Sequence, residues 1–421
     1  MSPEDSGESA AVRRLVGPVG DPPTVQRWER VWRPFWVLPS VISLFAVLAG
    51  FLLPWLDENL GSRASWFFSG NAAAASAILS TIASAMVSIT ALVFSITMVV
   101  IQLASSQFTP RLLGDFLASR VTQVTLGIFT SSFVFAFLVL RRVRDGDDSF
   151  VPQFSVAVAL ALVLASVAMF FAFIHHVTVS IQVGQVIDRV ATRTQAVLTR
   201  GWDEESAVAP APAPAPEVPA VDGIVVTTGD RHGVVQDIAL SVLASWAAEH
   251  GMRIDLLARP GLVRHTGQDL AVVHPVDQLA AGADEEATVE AVRAAFTLGR
   301  ERLIDQDPEF GVRQLVDIGV RALSPGINDP TTAVEVLGEL HRLLRVLACR
   351  LDPSPVIVDQ AGTIRVVDQP TTFARVLDLS VDEIARYGKD SLQVPAEIEL
   401  ILADLAAIAR PEHQRAIAAK R

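Results

Sequence analysis

Seven residues set the first chemical question. Thr81, Ser84, Ser88, Ala91, Ser95, Met98 and Gln102 follow one another at steps of three and four, the spacing of one helix face. They lie in "NAAAASAILSTIASAMVSITALVFSITMVVIQLASSQ", Asn71 to Gln107, which holds no charged residue. Small and hydroxyl side chains on a helix in lipid let neighbouring helices approach closely and hydrogen-bond across the contact or back to their own helix. The same face, repeated around an oligomer, could line a hydroxyl-wetted ion path closed by apolar constrictions. Both readings stay open here, and they are compatible if packing builds the pore. Thr90 and Thr97 fall on roughly the opposite side, so the polarity exceeds a single stripe.

Other candidates are sparser. His175 and His176 sit near the end of an apolar run; histidine titrates near neutrality, which makes them candidates for pH sensing. Adjacent helical residues diverge by about 100°, a poor arrangement for a shared metal. Arg313, Asp317 and Arg321 form a ladder at steps of four, a pattern that usually faces solvent. Behind it, "SPGINDPTTA" reads as a turn in which Asp329 caps a helix and Pro330 opens it. Arg321, Ser324, Asn328 and Asp329 could also form a contact loop for a subunit or ligand. A glycine-rich phosphate loop, HExxH, G-x-S-x-G and a CxxC pair are all missing. The expectation is therefore no enzyme, no cofactor and no metal.

Composition says where these residues must be held. Of 421 residues, 51% are hydrophobic and 19% charged, against about a quarter charged in soluble chains. The apolar excess lies in the first half. A formal charge of -12 argues against nucleic acid as a partner. Basic residues are almost all arginine, with Lys389 and Lys420 the only lysines; together with abundant alanine and valine, this suggests a GC-rich bacterial source. The single cysteine, Cys349, excludes an intrachain disulfide. No cleavable signal peptide is visible before Arg33.

Four apolar runs can each cross roughly 30 Å of hydrocarbon, which takes about 20 residues. They are Phe35 to Leu56, the Asn71–Gln107 stretch, Val121 to Leu140, and a run from about Phe154 that continues as helix past Arg189. Trp32, Trp36 and Trp55 flank the first, where rings favour the headgroup level. Asn71 to Ser105 as one helix would be about 50 Å long at 1.5 Å per residue. It should protrude, placing Gln102, Ser105, Ser106, Gln107 and Arg111 at a cytoplasmic mouth. Arginines near the span ends favour both termini in the cytoplasm of a bacterial inner-membrane protein, although Arg141, Arg142 and Arg144 then fall outside.

The expected fold is a polytopic α-helical membrane protein with four transmembrane helices and a cytoplasmic α+β C-terminal region. Residues 1–34 form a leader and 35–200 the membrane domain, helix four extending into the cytoplasm. Residues 201–220 are an Ala/Pro linker ("AVAPAPAPAPEVPA"), a stiff polyproline spacer. Residues 221–282 form a small β-rich module, and 283–421 a mainly helical domain. In the module, "MRIDLLARPGLVRHTGQDLAVVHP" resembles the hairpin of biotinyl/lipoyl-type sandwiches but has no Met-Lys modification site.

"DPEFGVRQLVDIGVRALSPGINDPTTAVEVL", "VFSITMVVIQLASSQFTPRLLGDF" and "FIHHVTVSIQV" together resemble bacterial predicted membrane proteins grouped as domain of unknown function 2254. The resemblance spans nearly the whole chain and implies a membrane part followed by a cytoplasmic tail. It carries over no catalytic or binding residue. The leading expectation is an oligomeric, channel-like protein for small ions. The rival is a non-conducting membrane-anchored scaffold or sensor whose tail binds a partner or small ligand. The expected partners are the lipid bilayer, further copies of the chain, and a small ion or cytoplasmic ligand.

Overall fold

The computed structural model describes residues 35–60, 70–107, 119–145, 149–180, 182–202, 223–276 and 284–421. The leader, most of the Ala/Pro linker and the segment holding Arg111 lie outside the described residues. The chain divides after residue 185 into two compact units, which are taken in turn.

The first unit holds four helices long and apolar enough to cross a membrane: α1 (Val37–Leu60), α2 (Ala72–Gln107), α3 (Arg120–Leu140) and α4 (Gln153–Ser180). The centre of this bundle is α3, which packs on the other three. Its close approach to α1 depends on missing side chains. A Cβ on Gly127 would lie 2.7 Å from Ile42, and one on Gly50 would lie 2.8 Å from Leu138, so glycine at each crossing lets the helices touch. Phe129, Phe135, Ala136 and Val139 of α3 are buried. Between α3 and α4, the Ser132 and Ser166 hydroxyls meet at 3.1 Å in a buried contact.

One carboxylate closes the bundle at an end. Asp57, in the last turn of α1, is buried and accepts from the N–H of Phe154 (3.1 Å) and the N–H and hydroxyl of Ser155 (2.9 and 2.6 Å). The first N–H groups of α4 lack partners within their own helix, and a carboxylate there is favoured by the helix dipole. Asp57 therefore does for α4 what an N-cap residue does, from a different helix.

Helix four does not run unbroken past Arg189: α4 ends at Ser180 and α5 (Val183–Gly201) starts after a short interruption. The composition changes there, from an apolar run to one with Asp188, Arg189, Arg193 and Arg200.

In the second unit, α5 lies along the helical part of the C-terminal region. Its face of Val186, Ile187, Val190, Ala191, Thr194 and Leu198 is buried, as is Trp202 beyond it. The chain then forms β1 (Ile224–Thr227), β2 (Gly233–Ile238), α6 (Leu240–Glu249), β3 (Met252–Leu256), β4 (Val263–Arg264) and β5 (Asp269–Pro275). After these come α7 (Glu285–Ala294), β6 (Phe296–Gly299), α8 (Pro308–Ala322), α9 (Pro330–Ala348), β7 (Val356–Val358), β8 (Ile364–Val367), α10 (Phe373–Gly388), α11 (Gln393–Ile408) and α12 (Gln414–Ala418). The strands make two sheets, β1-β5-β3-β8-β7 and β4-β2-β6. All pairings are antiparallel except β3 with β8. Val226, Ile254, Leu256, Val273 and Val366 form the core with Leu243 and Ala247 of α6.

The expected boundary at residue 282 does not separate strand from helix. β6 lies inside "EEATVEAVRAAFTLGRERLIDQ", which periodicity alone reads as one helix, and β7 and β8 come from the region expected to be helical. Phe296, Thr297 and Leu298 favour strand, and Phe296 gains burial by pairing with Ile238 of β2. The remaining helices match the sequence pattern, and their starts are chemically marked. Asp307, Asp329 and Thr372 cap α8, α9 and α10, each accepting the backbone N–H three residues on. Pro308 and Pro330 occupy the first helical positions of α8 and α9.

Candidate functional site

α2 has two opposed faces. Ala75, Leu79, Ile82, Ala83, Met86 and Val93 are buried, the first five in one cluster with Phe135, Ala136 and Val139 of α3. Thr90 and Thr97 stand half-buried on this side. The seven residues Thr81, Ser84, Ser88, Ala91, Ser95, Met98 and Gln102 are all exposed in the protomer. The sequence spacing thus singles out a real face, and that face points away from the bundle. Val87, Leu92, Phe94 and Val99, also exposed, flank it.

The hydroxyls close on their own helix. Thr81 donates to the Ala77 carbonyl (2.7 Å), Ser84 to Ser80 (2.9 Å), Ser88 to Ser84 (3.1 Å) and Ser95 to Ala91 (2.9 Å). Each donor is satisfied without a neighbouring helix, and each oxygen keeps a lone pair to offer outward. The outward faces of α1 and α4 carry larger apolar groups: Trp36 just before α1 and Leu44, Phe45, Leu48, Phe51 and Trp55 on it, and Leu160, Leu164, Val167 and Phe171 among exposed alanines on α4.

A family model described as "Predicted membrane protein (DUF2254)" matches residues 32–404. The chain belongs to this family. It is similar to an uncharacterized protein of Mycobacterium tuberculosis strain H37Rv, Rv1290c, with 31% identity over 373 residues, covering 87% of this chain and 71% of that protein. The same figures hold for the uncharacterized protein Mb1321c of Mycobacterium bovis. No solved structure matches. Family and helices agree in making this a predicted membrane protein with four apolar spanning-length helices and a mixed α/β C-terminal region.

The other candidate residues of this DUF2254 protein are placed as follows. His175 is exposed, while His176 is half-buried with its Nε2 2.7 Å from the Ser119 hydroxyl at the start of α3. The histidines therefore face different surroundings. Among the described residues no group of three His, Cys, Asp or Glu side chains could hold a metal.

The "SPGINDPTTA" turn is held by local bonds. Ser324 donates to the Arg321 carbonyl through its hydroxyl (2.7 Å), the Asn328 N–H reaches Ser324 (2.9 Å), and the Asp329 N–H reaches Ala322 (2.8 Å). Asn328 takes a left-handed φ of 51°, which asparagine tolerates better than most residues. The Thr332 hydroxyl and N–H, both donating to the Asp329 carboxylate, hold it below the usual range. All four loop residues are thus together in one capped turn. Asn328 is exposed, and Arg321, Ser324 and Asp329 are half-buried.

The charge ladder is not merely solvated. Arg313 bonds Asp317 at 2.8 Å on its own helix and Glu383 at 2.8 Å on α10, tying two helices together. A larger network escaped the sequence reading. Glu309, buried in the first turn of α8, accepts from Arg259 at 2.9 Å, Thr371 at 3.2 Å and Arg375 at 2.5 Å. Burial alone would raise its carboxyl, but the Arg375 and Arg259 bonds and charges bring it below the usual range. Next to it, Asp307 pairs with Arg302 at 2.7 Å, yet burial outweighs that partner and raises its carboxyl. Sequence spacing carries no signal for these contacts, since Arg259 is 50 positions from Glu309.

A buried polar row also crosses the five-stranded sheet. Asp255 bonds Arg253 at 2.7 Å, and His274 lies with Nε2 3.6 Å from Asp255. The His274 ring is buried, and neither nitrogen has a hydrogen-bond partner among the described residues.

Proposed function

We propose that this protein is an oligomeric, channel-like integral membrane protein for small ions, with the Thr81–Gln102 face of α2 turned toward the other copies and the central path. The observation that carries the proposal is the contrast among outward faces. Aromatic and branched residues, with alanines between them on α4, cover α1 and α4, as suits acyl chains, whereas α2 presents a row of hydroxyls over six turns beside exposed Val87, Leu92, Phe94 and Val99. Small residues admit close helix contact, and hydroxyl oxygens offer polar sites without net charge. On the arginine distribution, the protein sits in a bacterial inner membrane with both termini in the cytoplasm. The C-terminal region, carried on α5, assembles or gates the assembly without catalysing a reaction.

A second reading, a non-conducting scaffold or sensor, is favoured by one observation: the hydroxyls of this face already bond to their own backbone, so nothing there requires water. Thiol accessibility separates the two. With Cys349→Ser as background, single cysteines at Ser84, Ser88, Ala91, Ser95 and Gln102 are probed in native membranes with a water-soluble reagent. Leu79 and Val93 serve as buried controls. Labelling of the face with silent controls is expected for a wetted path and leads to conductance recordings. Uniform silence removes the channel and leaves the scaffold.

A further inference from the structure

Two arginines meet at the edge of the β4-β2-β6 sheet. Arg231 lies in the turn between β1 and β2, and Arg293 in the last turn of α7. Arg231 donates from Nη2 to the Arg293 carbonyl (2.9 Å) and from Nη1 to the Phe296 carbonyl (3.4 Å). Arg293 donates from Nε to the Thr227 carbonyl (2.8 Å). Gly229, at φ 60°, lets the turn lie against the second guanidinium: a Cβ there would sit 3.4 Å from Arg293 Cζ. Both cations are thus pinned by main-chain carbonyls, which orient them without neutralising them.

No ion pair among the described residues involves either arginine. The chain carries a net charge of -12, and carboxylates are close in sequence. Asp230 precedes Arg231, and Glu290 lies one helical turn before Arg293; neither pairs with them. Burial and then the Arg293 charge push the Arg231 guanidinium below its usual value, as expected of two like charges brought together without a counterion. Capping the end of α7 accounts for the Arg231 bond to the Arg293 carbonyl, but a single cation suffices for that. It does not account for the second, whose two terminal nitrogens make no hydrogen bond among the described residues.

We propose that Arg231 and Arg293 form a binding site for a phosphoryl oxyanion. The Nη1–Nη2 edge of Arg293 is a fork that fits two oxygens of one phosphate, and guanidinium forks favour such bidentate contacts. Arg231 supplies the second positive charge and an Nε–H that makes no hydrogen bond among the described residues, matching the dianion of a phosphate monoester better than a carboxylate. The phosphoryl group can belong to a soluble compound or to an anionic lipid headgroup. The site belongs to the C-terminal unit, and the proposal holds whether or not the protein conducts.

The test uses the full chain in nonionic detergent, titrated at constant ionic strength with inorganic phosphate and, separately, with dioctanoyl phosphatidate. Saturable binding of one equivalent is expected, weakened tenfold or more, about 1.4 kcal/mol, by Arg293→Gln and by Arg231→Gln. Arg386→Gln, an exposed arginine on α10, should leave it unchanged. Arg293→Lys keeps the charge but loses the fork and should bind several-fold more weakly than wild type. Binding of inorganic phosphate assigns a soluble ligand; binding of phosphatidate alone assigns a headgroup. If Arg293→Gln does not fold by circular dichroism, Arg231→Gln and Arg293→Lys carry the test. The proposal is overturned if neither probe saturates wild type, or if the folded variants bind as wild type does.

Discussion

Glu309 joins three chain segments, and its replacement by glutamine tests the network quantitatively. The side chain is 6% exposed, its partners Arg259 and Arg375 26% and 49%. Breaking a fully buried pair costs about 3–5 kcal/mol because the survivor is left unpaired. Arg375, half in water, recovers hydration, so its loss resembles that of a surface pair at about 0.5–1 kcal/mol. The more enclosed Arg259 contact is a charge-assisted bond of about 1.5–3 kcal/mol. Glu309→Gln should therefore destabilise the C-terminal unit by about 2–4 kcal/mol, equal to a roughly 30- to 700-fold loss in amide protection at about 1.4 kcal/mol per tenfold. Hydrogen-exchange mass spectrometry of the full chain in detergent, followed on α8 and α10 peptides, reads this directly. The pH dependence has a definite sign. Because the folded-state carboxyl lies below its unfolded value, its contribution is present above the unfolded value and disappears as pH falls through the folded one. Wild type and Glu309→Gln should thus converge in acid. Unchanged protection at neutral pH, or a gap that persists with Glu309 protonated, would refute the network.

Asp57→Ala removes all three bonds at the start of α4 and should cost about 2–4 kcal/mol, a cap plus unsatisfied buried N–H groups. Melting of the detergent-solubilised chain should fall by several degrees, Asp57→Asn lying between; an unshifted Ala variant removes the cap. Gly311→Ala places a Cβ 2.0 Å from the Thr194 hydroxyl, and overpacking of this kind costs about 1–3 kcal/mol. It should open α5 to trypsin at Arg193 and Arg200, whereas cleavage at the wild-type rate contradicts the close packing. Asp368→Asn should be stabilising at neutral pH. Burial raises that carboxyl with only the Gln369 N–H opposing it, so wild type loses stability as pH rises from its unfolded to its folded value. The melting advantage of the asparagine variant should vanish in acid.

The helices were legible because their signals are local. Uncharged length marks α1 to α4, and Asp329-Pro330 announces the start of α9 within two residues. That the α2 hydroxyls share a face was also legible, since Thr81 to Gln102 keep one phase and Thr90 and Thr97 the other; that this face points away from the bundle was not. Which helix is central was not. α3 owes its place to Gly127 and Gly50 fitting under Ile42 and Leu138, and that complementarity appears only when helices are paired. β6 was missed because a four-residue strand following a ten-residue helix continues an apolar pattern that either period can fit. β7 and β8 return to the sheet from more than eighty residues beyond β5, and pairings that distant leave no trace in local periodicity.

The polar groups of the bundle point to a division of labour. Inside the protomer some hydroxyls also reach between helices: Ser132 to Ser166, Ser155 to Asp57, Ser119 to His176, although Ser132 and Ser166 bond carbonyls of their own helices as well. Those on the outward face of α2 bond carbonyls of their own helix alone among the described residues. A helix that only needed to meet lipid would gain from leucine at those positions, as α1 and α4 do at theirs. In the proposed oligomer, polar side chains retained where burial within the protomer does not call for them would meet a neighbouring copy. Close helix contact accounts for Ser84, Ser88, Ala91 and Ser95 on size alone. Gln102, with a full amide at the exposed end of the same row, is not small. It is the residue whose replacement by leucine should separate a packing seam, which would tighten or stay unchanged, from a wetted path, which would close.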